Sequence, residues 1–503
     1  MRSLRLWAAA LSLTTFSHAE ITLAPLFQDH AVLQRDLPLP VWGRADAGEH
    51  VTVTFKGQSI GTTADAGGRW IVYLEPVAAS VQPAELVVTG KNTVTLTDIL
   101  VGEVWLASGQ SNMEWPVAKT LNAEKEIAAA NFPLLRHIKI ERTVANAPAE
   151  TVKSTGWQAA TPATAGEFSA VGYYFARDLH RKLGVPVGLI NSTWGGTAVE
   201  VWMSAPALRA TAAFTTQDAR WQKDLAEFPT RLVNYPLELA VWNKAEEQAK
   251  VTKIRNPLPH PRPPVGPGTP YVPTGLFNAM IAPLQPMALR GIIWYQGESN
   301  WPHPEEYAEL FPAMIRSWRA GWGQGDIPFY FVQLANYAII DDPTHRAWAR
   351  LREAQTEALR LPATDMATAI DIGDPKDIHP RNKQEVGRRL AMIAKARIYG
   401  IGGDFSGPML ERVTREGGAL RVHFSHAATG LIAYDKPVQS LEIAGADRRF
   451  FPATAKIEHG TLLVSAPGVK EPVAVRYAWS NSPVANLYNG AGLPAPPFRS
   501  DVW

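Results

Sequence analysis

The chain repeatedly carries a short run of bulky apolar residues that stops at a polar tip, and this pattern limits the fold more than any other feature. Ile99 to Ala107 leads into Gly109-Gln110-Ser111-Asn112-Met113, and the layout returns over residues 189–197, 292–300, 329–336 and 367–374. Runs that are apolar on both side-chain faces belong to strands buried on both sides. Between them lie segments with helical spacing, clearest at 169–183, 305–319, 345–361 and 382–399, with Gly184 and Gly400 as stops for the first and last. In the first of these, Val171, Phe175, Leu179 and Leu183 recur every fourth residue and mark one buried face. Alternating strand and helix predicts a parallel sheet covered on both faces. In such a sheet the polar tips collect along the carboxyl edge, where α/β enzymes hold their sites.

The flanks read differently. From 20 to 97 short alternating runs such as His50 to Phe55 and Arg69 to Leu74 predict an all-β module, a small sandwich, and such runs return over 409–503 as a second β module. The core between them, 98–408, is interrupted at 204–273. Residues 204–255 read as helical and carry Trp221 and Trp242, which suit packing or stacking on a sugar ring. Residues 256–273 are too rich in proline for regular structure and are expected to form a stiff strap near the site. At the start, Arg2 and Arg5, the apolar stretch Leu6 to Phe16 and the small-residue exit Ser17-His18-Ala19 read as a secretory signal over 1–19 cleaved after Ala19. The expected location is therefore periplasmic or secreted, with no membrane insertion after cleavage.

Charge and cysteine usage remove several functions. With 49 basic and 47 acidic residues and no long run of either sign, nothing favours a nucleic-acid partner. The absence of cysteine excludes thiol catalysis and disulfides. His423 and His426 lie three apart in a β pattern whose faces part them, so no metal site is expected, and no phosphate loop or dinucleotide fingerprint calls for a cofactor. No segment specifies an oligomeric state.

What remains is a nucleophile at a strand tip. Ser111 needs a base, an orienter for that base and donors for the oxyanion formed on an attacked carbonyl. His379 in Asp377-Ile378-His379-Pro380 follows the last core strand and is the best-placed base. Asp377, two residues earlier, is the preferred orienting carboxylate, with Glu298 from another tip as the alternative. Oxyanion donors are expected from the Ser111 amide, the Gly196 amide in Trp194-Gly195-Gly196-Thr197 and the Gln296 side chain.

Taken in order, Gly-Gln-Ser-Asn-Met, Trp-Gly-Gly-Thr, Trp-Tyr-Gln-Gly-Glu-Ser-Asn and Asp-Ile-His-Pro resemble the sialate O-acetylesterase family of the SGNH hydrolase superfamily, together with the closing stretches Tyr477-Ala478-Trp479-Ser480-Asn481 and Asn486-Leu487-Tyr488-Asn489. The resemblance implies an SGNH-like three-layer α/β/α core, Ser111 as nucleophile, His379 as base and Gly196 and Gln296 in the oxyanion hole. It departs from the wider superfamily at Lys376, where an aspartate is usual, and at Gln296-Gly297-Glu298, where many members carry Gly-x-Asn-Asp. The implied activity is a serine esterase that removes acetyl groups from an O-acetylated sugar, either sialic acid or a plant polysaccharide such as xylan, xyloglucan or pectin. A carbohydrate-binding protein without catalysis is the alternative from another class.

Overall fold

The computed structural model describes residues 20–254, 256–338 and 342–503, and the leader expected over 1–19 lies outside the described residues. At its centre runs the strand Thr93–Gly109, 17 residues long. Its carboxyl half pairs in parallel with Val187–Thr193 on one side and Gly291–Tyr295 on the other. Phe132–Lys139 continues the parallel sheet beyond the first neighbour, and Phe329–Gln333 and Thr364–Thr368 continue it beyond the second. Gln158–Ala160 adds an antiparallel edge. The chain builds on one side of the central strand and then crosses to the other, so the end of Thr93–Gly109 is a topological switch point, the place where open α/β sheets leave a crevice.

Helices cover both faces, as the alternating pattern predicts. Ala170–Leu183 and Lys383–Arg397 pack together on one face, and Pro304–Trp322 with Ala347–Thr356 on the other. Ser169 caps the first helix by accepting from the Gly172 amide, and Gly184 ends it in the left-handed region. Val171, Phe175 and Leu179 are buried beneath it.

The boundary expected between 97 and 98 falls inside the central strand. Thr93 to Asp98 alternates in burial and pairs antiparallel with Ser80–Thr89, whereas from Ile99 onward every residue of the strand is buried. The change of pattern therefore marks the point where one strand passes from a sheet with a wet face into one covered on both. One hydrophobic core accordingly runs from Val51, Val53 and Leu86 of the amino-terminal strands to Trp105 and Phe175.

The carboxyl-terminal strands form two further four-stranded sheets around their own core of Leu420, Val422, Ile443, Leu462 and Val475. Arg352, fully buried on Ala347–Thr356, ties them to the centre by donating to Leu334 O, Ala335 O, Ser480 O and Asn481 O at 2.8–3.1 Å. The stretch 204–273 contains the helices Ala205–Arg209 and Phe214–Thr252, the latter 39 residues long despite Pro229 and Pro236. The proline-rich strap lies along this long helix, with Leu258 O accepting from Trp242 Nε1 at 3.2 Å and Arg262 O from Arg231 Nη2 at 2.9 Å. Among the described residues no helix is long and apolar enough to cross a membrane.

Arg352→Ala strands several buried carbonyls without a donor, each costing about 1–3 kcal/mol. A denaturant titration should show a loss of about 3 kcal/mol or more, with the carboxyl-terminal sheets becoming protease-sensitive first. An unchanged curve would contradict this account of the junction.

Candidate active site

The site forms where the central strand ends. Gly109 sits at φ 132°, and a β-carbon there would lie 2.2 Å from Tyr295 O, so only glycine lets the chain leave the sheet so close to its neighbour. Gln110 then turns the backbone, and Ser111–Glu114 forms one short helical turn. Ser111 Oγ stands 2.8 Å from His379 Nε2, across 268 residues of sequence. The first amides of a helical turn lack intrahelical acceptors, which leaves the Ser111 N–H suited to an oxyanion.

His379 is held by its surroundings on several sides. The Trp115 ring stacks on the imidazole at 4.9 Å and 17°. Asp377 Oδ1 accepts from the His379 backbone amide at 2.8 Å and lies 3.9 Å from Nδ1. That carboxylate is therefore on the correct side of the ring, but at ion-pair rather than hydrogen-bond distance. Burial, reinforced by the Lys383 charge, lowers the His379 pKa against the weaker opposing pull of Asp377.

Glu298, the alternative acid, is placed elsewhere. It is 4% exposed, and its Oε1 accepts from Asn112 Nδ2 rather than from the imidazole. Its other oxygen is buried without a partner among the described residues, and burial raises its pKa. Asn112 Nδ2 also donates to Ile378 O at 3.0 Å, and Asn112 Oδ1 accepts from the ammonium of Lys383. Lys383 is fully buried on the helix after His379, where desolvation pulls its pKa down to about 7. Sequence reading passed over both Asn112 and Lys383, because neither spacing nor periodicity brings residues 112, 298, 378 and 383 together.

The second strand tip supplies the Gly195-Gly196 turn. Gly196 is exposed at φ 75°, and a β-carbon on Gly195 would lie 3.1 Å from that of Ser111, so the turn borders Ser111 directly. Glu114 holds it there: its Oε2 accepts from the Gly195 amide at 3.0 Å, while its Oε1 takes Arg142. Glu114 was also missed, being one more polar residue after a turn. Gln296, expected as a direct oxyanion donor, stands behind the turn instead. Fully buried, it donates to Thr197 O at 3.1 Å and to Asn300 Oδ1 at 2.7 Å, so both amide protons are already engaged. Trp115 and Trp194 bring aromatic rings to this edge, and Tyr271, from the end of the proline strap, brings its hydroxyl to 3.9 Å from the β position of Gly196.

Among the described residues no group of three or more His, Asp or Glu side chains is arranged to hold a metal ion. His423 is bonded to Arg412 and Thr414, and His426 packs on Phe405.

A parallel sheet between helical layers, with a serine and a histidine in contact at its carboxyl edge, is the layout of an α/β carboxylic ester hydrolase, in keeping with the SGNH-like class that the motifs resemble. Residues 269–396 match the family described as carbohydrate esterase, sialic acid-specific acetylesterase. The sialate O-acetylesterase of Rattus norvegicus is 30% identical over 95% of this chain and 94% of its own, and that of Homo sapiens is 29% identical over 91% and 88%. A crystal structure of a carbohydrate acetylesterase from Xanthomonas citri superposes with a TM-score of 0.82 at 41% identity, covering 96% of this chain and 100% of that one. The chain belongs to the sialate O-acetylesterase family.

An NMR titration of the His379 ring should give a midpoint below the ordinary 6.5, because the buried, cation-facing imidazole resists protonation. A midpoint above that value would mean that Asp377 outweighs burial and Lys383 together.

Proposed function

We propose that the protein removes O-acetyl groups from carbohydrates through an acetyl-serine intermediate. The observation that carries this reading is the 2.8 Å contact between Ser111 Oγ and His379 Nε2 beside the Gly196 turn. His379 takes the hydroxyl proton as Ser111 attacks the acetyl carbonyl, and the Ser111 and Gly196 amides receive the oxyanion. The imidazolium then gives its proton to the departing sugar hydroxyl. A water, deprotonated by the same ring, frees acetate and restores the serine. Asp377 stabilises the imidazolium, a role supported by its position on the Nδ1 side and by the engagement of Glu298 with Asn112. Gln296 acts from behind by fixing Thr197, next to Gly196.

The aromatic rings of Trp115 and Trp194, with the Tyr271 hydroxyl beside them, suit a sugar ring. O-acetylated sialic acid is the substrate that the names of the mammalian relatives supply. A plant polysaccharide is the second reading; the Xanthomonas citri protein, 41% identical, carries the broader name carbohydrate acetylesterase, with no sialate in it. Export through cleavage after Ala19 completes the proposal, resting on the charged start and apolar stretch of 1–19.

Ser111→Ala should lower turnover of an aryl acetate on the scale of about 10⁶, and a variant keeping a tenth of the activity would refute the nucleophile. Asp377→Asn should cost up to about 10⁴ in turnover, as for a triad aspartate. Should Asp377→Asn match the parent enzyme in matched folded samples while Glu298→Gln is the crippling change, Glu298 is the acid and Asp377 is not. Acetate release screened over acetylated sialoglycans, xylan, xyloglucan and pectin separates the two substrate readings, and release from none of them would overturn the carbohydrate assignment.

A further inference from the structure

Asn112 follows the nucleophile directly, yet its side chain points away from the solvent and into the protein, where it is 1% exposed. Every hydrogen-bonding position of that amide except one oxygen lone pair is filled. One proton goes to Glu298 Oε1, the other to Ile378 O, and the carbonyl oxygen takes the Lys383 ammonium. The partners come from the strand tip at 296–300, from the loop that carries His379, and from the helix that follows it. A single amide thus links the serine's turn to the residue adjoining the histidine.

We propose that Asn112 is a positioning residue of this esterase, held in place by the buried pair Lys383 and Glu298, and that it fixes the separation of Ser111 and His379. The inference rests on the Ser111–His379 reading above and deepens it. Two features make the unit more than ordinary core polarity. First, both ions are buried, and neither touches the other; the ammonium and the carboxylate are compensated through the Asn112 amide, with the Tyr295 ring 5.3 Å from Lys383 Nζ. Removing the amide leaves two buried charges with poorer partners and frees the loop carbonyl of Ile378. Second, the unit reaches the chemistry electrically. The imidazole is faced by Lys383 from the following helix, by Lys119 from the turn after Trp115 and by Asp377 from its own loop. Lys383, itself faced by Glu298 and Asp377, exerts the largest charge effect on the ring. A cation at this place disfavours the imidazolium, so it keeps His379 a free base to lower pH.

The test uses the full chain and an aryl acetate, with a fluorophosphonate probe to count competent serines. Asn112→Ala should reduce kcat per competent serine by roughly 10²-fold, the cost of a displacement of about 1 Å, with KM within about twofold. Lys383→Met should move the acid limb of kcat/KM to higher pH by about half a unit or more, since the ring loses its neighbouring cation. Because Lys383→Met leaves Glu298 uncompensated, the pair Lys383→Met with Glu298→Gln is made alongside it. This double variant should recover the thermal midpoint but retain the shifted limb. Wild-type kcat per competent serine in Asn112→Ala, or an unmoved acid limb in the double variant, would overturn the proposal. If Ser111→Ala remains active, the esterase reading itself fails; if Ser111→Ala is dead while Asn112→Ala turns over like the parent, only the positioning role fails.

Discussion

Everything in the site depends on the close passage of two strand ends. The central strand leaves the sheet at Gly109, where its backbone lies so near Tyr295 O that no side chain fits. This contact sets the starting point for both the Ser111 turn and the 296–300 tip, and it brings Gln110 Oε1 within reach of the Gly297 and Ser299 amides at 3.3 and 3.2 Å. Main-chain amides and a side-chain oxygen satisfy each other across the gap. The two tips are therefore built as one unit, as a buried polar edge demands.

Behind that edge the protein places a layer of amides and charges instead of more hydrocarbon. Gln296, Asn300, Asn112, Lys383 and Glu298 are all buried, and each is committed to another element of the site. Such a layer adds little net stability, because desolvation offsets most of what the bonds contribute. Its effect is geometric: strand tips whose loops would otherwise move independently are held at fixed separations. The groups proposed to react sit on the wetter side, with the His379 side chain 29% exposed and the Gly196 turn open.

The β modules relate to this core in different ways. The amino-terminal strands share the central strand and its apolar core, so they brace the sheet from below the site. The carboxyl-terminal sheets have their own core and meet the centre through polar contacts, with Arg352 at the middle and Asn481 accepting from the Trp348 amide at 2.9 Å. Asn481 lies in the closing stretch that the family resemblance singled out, and its place at this junction gives that motif a structural reason.

The sequence by itself determined the layers and the order of strand tips, because hydrophobic periodicity and turn composition are local and repeat at every strand, and it marked Ser111 and His379 as candidates at two of those tips. It also specified that one tip would carry glycine next to glycine. Only the tertiary structure decided which polar residue meets which. The sequence preferred Asp377 and kept Glu298 as the alternative, and the fold places them differently, with Glu298 Oε1 accepting from Asn112 and Asp377 beside the imidazole. Gln296 looked like a donor to substrate and is turned into the turn behind Gly196. Asn112, Glu114 and Lys383 carried no signal in the chain, since a polar residue after a turn or on a helix is ordinarily solvated. Their burial arises only when four distant segments converge, and no local pattern encodes that convergence.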